Sequence, residues 1–219
     1  MSFDLVFWRA EEPLTAREAD ETYQVLVGGG GNVRADPAVD AFHTDLLARY
    51  PMPVHGEGPT PWSVEPWHTD ECVITCTPFS EADGMRPVLL ELARRHGLTC
   101  FDPQSGTVHF TRNANSMTLR LYEDVFVHGP TPEDLRWVVE RVGERTWFAI
   151  LEDETGEFVQ TATATVPAAG DGRFVVEYRD GEQYQAVVDD RADVLSVFES
   201  FLRGERAWRT VLDFVVLEL

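Results

Sequence analysis

The densest group of potentially reactive side chains is a run of carboxylates in the second half of the chain. Glu152, Asp153, Glu154 and Glu157 lie within six residues. A glycosidase needs two carboxylates held across a cleft, one of them kept protonated. Turn-forming residues inside this run place the four acids on a hairpin tip, where neither the separation nor the burial is available. The pattern favours a solvated turn or an acidic surface that faces a partner.

The cysteines are the next candidates for chemistry. Cys72 and Cys76 alternate along a predicted strand, so both thiols point to the same face. His68 and Asp70 are the nearest metal-ligand types, but the spacing His68-x-Asp70-x-Cys72 matches no established site. Free cysteine is among the most buried residue types, which favours core packing. A cysteine nucleophile paired with one of the six histidines is an open alternative that no local signature supports.

Composition narrows the function classes. The chain has 219 residues and a formal net charge of −20, and all 18 basic residues are Arg. The lack of Lys excludes mechanisms that need an active-site lysine, including a Walker-type phosphate loop. Residues 1–112 carry a net charge of −9 and residues 113–219 a net charge of −11, so the acidity is spread along the chain. Such a charge repels nucleic acid and speeds encounter with a basic partner, although ordinary acidic solubility explains it too.

The cysteine count and the hydropathy pattern indicate the compartment. Three cysteines give an odd number and no disulfide framework. The first residues lack a basic segment, and no apolar run reaches the ~18 residues that a membrane span requires. We therefore expect a protein of the reducing cytoplasm without a membrane partner.

The elements that would position these groups follow from periodicity and capping signals. In the first half we expect a strand at Phe3–Trp8, helices after Thr15 and Asp36, a strand at Cys72–Thr77 and a helix at Ala82–His96. A hairpin across residues 102–106 follows. Residues 51–66 are rich in Pro and Gly and predict an irregular loop.

The second half repeats the mixture of helices and strands. Thr131 caps a predicted helix, four strands follow between Trp147 and Val188, and Asp190 caps another helix before a final strand at Val211–Leu217. Long β-α-β crossovers are few, which predicts an α+β class with mostly antiparallel sheets and helices packed on one face. We expect two similar-sized domains, residues 1–115 and 116–219.

The aromatic residues offer anchors for the core or for a partner. Trp208 is expected to fill the core where a helix meets the sheet, with Tyr178 and Phe198 in structural roles. Trp62 and Trp67 lie in or beside the Pro-rich loop, where an indole either anchors the loop or forms an exposed hot spot. Anchoring is the favoured interpretation for that pair.

The stretch from Glu157 to Phe214 carries a family resemblance. Its order is the segments Phe158–Ala162, Phe174–Gly181 and Val194–Leu202, followed by Gly204 and Trp208. This arrangement resembles the first-numbered immunity-protein family of bacterial polymorphic toxin systems. The resemblance implies a protein that binds and blocks a toxin, often of the deaminase superfamily. It departs at the end, where Asp213 and Phe214 stand in place of a second Trp-bearing closing strand.

The first half is similar to uncharacterised bacterial proteins near toxin loci. The similarity is carried by Phe3-Asp4-Leu5 with Trp8, Leu92-Ala93, His96-Gly97-Leu98 and Phe101-Asp102-Pro103-Gln104. It implies a genomic neighbourhood and no particular chemistry, so the role of this half stays open.

We therefore expect a non-enzymatic immunity protein that neutralises a basic toxin, needs no cofactor or metal and binds neither nucleic acid nor membrane. Two alternatives stay open: an acidic nucleic-acid mimic or regulatory binding protein, and an uncharacterised hydrolase. The candidate partner-binding residues are acidic loop positions and two aromatic anchors: Glu152, Asp153, Glu154, Glu157, Asp180, Glu182, Asp189, Asp190, Trp67 and Tyr184.

Overall fold

A computed structural model describes residues 2–29, 31, 33–53, 60–122, 124–143, 147–163 and 173–217. The chain divides into two compact units, Met1–Thr111 and Arg112–Leu219. This division falls four residues before the boundary expected from the sequence. Helices and antiparallel strands occur in both units, which confirms the predicted α+β class.

The first unit contains an antiparallel sheet in the order β5-β4-β1-β3-β2. Its elements are β1 (Ser2–Trp8), α1 (Ala16–Val27), α2 (Pro37–Arg49), β2 (Val64–His68), β3 (Cys72–Pro78), α3 (Phe79–His96), β4 (Thr99–Asp102) and β5 (Thr107–Thr111). Helices join β1 to β2 and β3 to β4, and each connection passes over one intervening strand. The connectivity is that of a split β-α-β arrangement.

Local signals in the sequence set where these helices begin and end. The Thr15 side chain accepts a hydrogen bond from the Glu18 amide and the Glu18 carboxylate accepts one from the Thr15 amide, which forms a capping box. Asp36 caps α2 without a capping box, and its side chain accepts a hydrogen bond from the Ala38 amide. Gly97 ends α3 with a φ of 66°, a left-handed conformation that glycine adopts without strain.

Helices cover both faces of the first sheet. Phe7 lies opposite Val73 and Cys100, and this face packs against α2 and α3. Phe101 lies on the other face, where the ring of Tyr23 from α1 approaches it to 6.1 Å between centroids. The expectation that the helices pack on one face does not hold for α1, which packs on the face opposite to that of α2 and α3. Strand β2 also begins inside the predicted loop 51–66, of which residues 54–59 lie outside the described part.

The second unit contains an antiparallel sheet in the order β12-β11-β10-β9-β8-β6-β7. Its elements are β6 (Thr118–Leu121), β7 (Val125–His128), α4 (Pro132–Arg141), β8 (Phe148–Glu152), β9 (Phe158–Thr163), β10 (Phe174–Asp180), β11 (Glu182–Val188), α5 (Arg191–Leu202), a 3₁₀ helix (Ala207–Thr210) and β12 (Val215–Val216).

The helices of the second unit pack on one face of its sheet. Ala149 and Leu151 of β8 are fully buried, whereas Phe148 and Ile150 are partly exposed. Helix α5 contacts β9, β10 and β11 and packs against α4. On the other face, which we call the open face, Phe148 and Ile150 remain partly exposed, although Val175 of β10 on the same face is 1% exposed.

Two features of the second unit differ from the sequence-based expectations. The hairpin β6–β7 was not predicted, and the strand expected at Val211–Leu217 is a two-residue strand after a 3₁₀ helix. The chain turns before β12 because the ring of Phe214 folds back onto Tyr178, 4.9 Å between centroids. Among the described residues, no helix is long and apolar enough to cross a membrane.

Candidate binding surface

The predicted acidic residues fall at opposite ends of the second sheet. In an antiparallel meander every second turn returns to the same end, so the β8–β9 turn and the β10–β11 turn lie together. The register supports this, because Tyr178 pairs with Val159 and the strands run on from there to Asp180 and Glu157. The end of β11, with Asp189 and Asp190, lies at the far end of the sheet. The eight acids therefore divide into a group of six and a group of two.

Asp153 has a structural role in its turn. Its Oδ1 accepts hydrogen bonds from the Thr155 amide at 2.9 Å, the Thr155 hydroxyl at 2.7 Å and the Glu157 amide at 3.0 Å. Burial, the largest influence, raises the pKa of Asp153, but these hydrogen bonds and the charge of Arg206 together hold it below its usual value. A carboxylate that fixes its own turn is a poor candidate for a partner contact.

Three of the remaining carboxylates pair with arginines, and a fourth caps a helix. Glu157 pairs with Arg206, Oε2 to Nη1 2.6 Å, and Asp180 pairs with Arg209. At the far end of the sheet, Asp189 pairs with Arg173, whose hydrogen bond lowers the pKa of Asp189. Asp190 caps α5 and accepts a hydrogen bond from the Ala192 amide.

Glu152, Glu154 and Glu182 differ from the other acids of this unit. All three are exposed, and the described residues supply neither an ion pair nor a hydrogen bond to their carboxylates. Glu152 is the last residue of β8, Glu154 lies in the β8–β9 turn, and Glu182 is the first residue of β11. The three therefore lie at the same end of the sheet. We call Glu152, Glu154 and Glu182 the acidic end of the second unit.

The aromatic cluster around Trp208 is a core. Trp208 is 1% exposed, and its ring makes an edge contact with Tyr178 at 4.8 Å between centroids. Tyr184 stacks on Tyr178 at 4.9 Å on the helix-covered face, which leaves it only partly exposed. Phe198 is also fully buried. Tyr184 therefore completes this cluster at its rim and is not a freely projecting anchor.

The two tryptophans near the Pro-rich loop have different roles. The Trp62 indole is 4% exposed, and its N–H donates to the Tyr50 carbonyl at 3.1 Å, which anchors the loop. Trp67 lies on the edge strand β2 and is 44% exposed. Trp67 belongs to the first unit and the acidic end to the second.

Three aromatic residues on the second unit form an exposed group that was not predicted. Trp147 and Tyr122 are 37% and 38% exposed, and their ring centroids are 5.4 Å apart. Phe148 lies against both rings, 4.9 Å from Trp147 and 5.8 Å from Tyr122. We call these three residues the aromatic triad. The adjacent Trp147-Phe148 pair was a visible signal, but its contact with Tyr122 depends on the unpredicted strand β6.

In the first unit, the side chains predicted as possible metal ligands or nucleophiles do not converge on one site. His68 pairs with Val73 across β2 and β3, so its side chain lies on the face opposite to that of the neighbouring Cys72. Its Nε2 contacts Asp40 Oδ1 at 2.8 Å and its ring stacks on His43 at 4.1 Å. Within the described ranges, no group of three or more ligand side chains could hold a metal ion.

The thiols are poorly suited to nucleophilic chemistry. Burial is the largest cause that raises the pKa of each cysteine. The pKa of Cys76 rises to about 12, because burial acts together with a hydrogen bond to the Asp4 carboxylate. Since the thiolate is the reactive species, these cysteines are protonated at neutral pH and unreactive.

No protein-family model, curated protein sequence or solved structure matches this chain. The resemblance to an immunity-protein family therefore depends on the residues between Glu157 and Phe214 that carry it.

Proposed function

We propose that this protein is an immunity protein of the bacterial cytoplasm. It binds a basic toxin, by resemblance a nucleic-acid deaminase, and blocks it stoichiometrically. The sequence pattern between Glu157 and Phe214 supports this proposal, and so does the exposed surface of the same unit. The protein blocks the toxin by covering its active site or its substrate groove, a mode of inhibition that requires no turnover and no cofactor.

The acidic end is the observation that carries the proposal. Glu157 and Asp180 have arginine partners, whereas Glu152, Glu154 and Glu182 have none among the described residues. An uncompensated acidic group on a protein of net charge −20 creates a negative potential that attracts a basic surface. A toxin that itself binds nucleic acid presents such a surface.

Charges at the rim of an interface act mainly on the rate of association. They steer the encounter, and salt screens this steering because the Debye length is about 10 Å at 0.1 M ionic strength. Contacts made only after docking set the rate of dissociation instead. The acidic end should therefore control how fast the complex forms at low salt.

The first experiment is co-expression with the toxin encoded beside this protein. We expect this protein to restore growth and to purify with the toxin at one-to-one stoichiometry. If the toxin neither loses its effect nor binds, the proposed function is wrong. Binding only to an unrelated basic DNA-binding protein would favour an acidic regulator instead.

The second experiment tests the acidic end directly. Replacing Glu152, Glu154 and Glu182 by Gln should slow association with the toxin by about 3–10-fold at low salt, with little change in dissociation. Stopped-flow mixing over a range of salt concentrations measures both rates. Asp153 is left unchanged, because its hydrogen bonds hold the turn.

A matched control separates the acidic end from net charge. Gln at Glu12, Glu65 and Asp83 also removes three charges, from exposed positions of the first unit. This control should leave the low-salt association rate nearly unchanged. Equal slowing by the two triple variants would show that only overall charge matters.

A further inference from the structure

The open face of the second sheet carries partly exposed apolar side chains. Phe148 and Ile150 alternate along β8 with the buried Ala149 and Leu151, which face the helices. Phe148 pairs with the partly exposed Ala162 of β9, so this surface extends over β8 and β9, whereas Val175 in the same row on β10 is 1% exposed. A surface of this kind, where apolar residues remain exposed beside polar ones, is typical of protein interaction sites.

The aromatic triad lies at one end of this face. The rings of Tyr122, Trp147 and Phe148 form a mutually packed group in which Tyr122 and Trp147 are both more than one-third exposed. Packing among the three rings restricts their motion, so little entropy is lost when another surface covers them. Exposed, pre-ordered Trp and Tyr side chains are the residues most enriched at binding hot spots.

Arginines of the second unit lie over five of its other aromatic rings. Distances from the guanidinium carbon to the ring centroid run from 4.0 to 5.4 Å for five rings: Phe126, Trp137, Phe174, Tyr178 and Trp208. In the described part of the chain, no guanidinium group lies over the rings of the triad. Because Tyr122 and Trp147 are more than one-third exposed, their ring faces can accept a cation from a partner.

The geometry points to the aromatic triad as the central contact for the toxin, with Arg or Lys side chains of the basic partner stacked on Trp147 and Tyr122. This inference rests on the proposed function and identifies which surface of the second unit the toxin covers. The charge of −20 favours a cationic partner, and the guanidinium plane fits an exposed indole face better than an ammonium group does.

The triad and the acidic end fit within one interface. Phe148 and Glu152 are the first and last residues of β8. Four steps of about 3.4 Å along a strand separate them by about 14 Å. A standard interface buries about 800 Å² on each partner, which is wide enough to include both groups. The carboxylates at one end would steer the partner, and the rings at the other end would hold it.

The test compares two exposed tryptophans in the complex with the toxin. We expect Trp147→Ala to weaken binding by at least about 30-fold through faster dissociation, as for a hot-spot residue. Trp67→Ala tests the competing aromatic anchor predicted on the first unit, and should leave the dissociation constant within about threefold. Trp147→Phe keeps a ring and should retain most of the affinity. Circular dichroism and thermal unfolding verify that each variant is folded.

The outcomes separate this inference from the proposed function. If the toxin binds but Trp147→Ala and Tyr122→Ala leave the dissociation rate unchanged, the inference is overturned while the function stands. A larger effect of Trp67→Ala would move the contact to the first unit and overturn it too. If the wild-type protein does not bind the toxin at all, the proposed function fails.

A probe that needs no toxin provides a second test. On titration with a deca-arginine peptide, the indole N–H signal of Trp147, assigned from Trp147→Phe, should shift more than that of Trp67. Deca-lysine should shift it less, because guanidinium stacks on aromatic rings more favourably than ammonium. Equal shifts of the two indole signals would count against a cation site at the triad.

Discussion

The two units cover their sheets differently. In the first unit, β4 is buried at every position, because α1 packs on one face of the sheet and α2 and α3 on the other. In the second unit, β8 alternates between buried and partly exposed residues, because the described helices cover one face only. A sheet buried on both faces has little surface for a partner, whereas a sheet with an open face can bind one.

The carboxylates of the two units also differ in burial and in pairing. In the first unit, Asp102 is 2% exposed, pairs with Arg86 and accepts from the amides of the following turn. Its role is to hold the β4–β5 hairpin. In the second unit, Glu152 and Glu182 are exposed and have no partner among the described residues. These exposed carboxylates therefore favour the second unit as the one that binds a partner.

Truncating one phenylalanine on each sheet tests whether the two sheets differ in how they are covered. Phe101→Ala should lower the free energy of unfolding by about 3–5 kcal/mol, because the ring is 1% exposed beneath α1. Phe148→Ala should lower it by only about 1 kcal/mol, because that ring lies on the open face. Urea unfolding measures both values. Similar losses would show that something covers the second sheet as well.

Two threonines on the covered face of the second unit should differ by a smaller amount in their effect on stability. Thr161 is fully buried and its hydroxyl has no hydrogen-bond partner among the described residues, whereas the Thr163 hydroxyl donates to the Gly143 carbonyl at 3.2 Å. Thr161→Val should therefore leave stability unchanged or raise it by about 1 kcal/mol. Thr163→Val should lower it by about 1 kcal/mol. Thermal unfolding compares the two, and a loss for Thr161→Val would reveal a partner for its hydroxyl.

The smallest expected effect concerns the histidine pair of the first unit. Burial, and next the charge of His68, lower the pKa of His43, which Asp40 and Glu65 partly oppose. A lowered folded-state pKa means that the unfolded chain binds the proton more readily. The contribution of His43 to stability is therefore present above its ordinary pKa and is lost as the pH falls through that value.

Nuclear magnetic resonance titration of the imidazole protons tests this assignment. His68→Gln should raise the pKa of His43 but leave it below the ordinary value, because burial is the larger cause. An ordinary or raised pKa for His43 in the wild-type protein would contradict the burial assigned to it.

Much of the fold was predictable because its signals are local. The capping boxes that begin α1 and α4 each lie within four residues, and Gly97 ends α3 where the sequence indicates. Strands β6 and β7 were not predicted because each has only four residues. Strand β6 also pairs with β8, which lies far from it in the sequence. The bend before β12 depends on contacts between Phe214 and residues distant in sequence.

The candidate surface was less predictable for the same reason. The sequence shows that Glu157 and Asp180 are acidic, but their partners Arg206 and Arg209 are reached only after α5. Local sequence therefore cannot distinguish neutralised carboxylates from free ones. The triad likewise combines Tyr122 with Trp147 across two strands that are separated by a helix in the chain.

The edge strand β2 bears on how this protein behaves at high concentration. Its register shifts between Val64 and Trp67, and Pro66 within that shift provides no backbone N–H. An edge that is bulged and interrupted by proline is a poor template for another strand, so sheet-to-sheet growth between copies is disfavoured there. The exposed Val64 and Trp67 can therefore remain at the surface without starting aggregation from this edge.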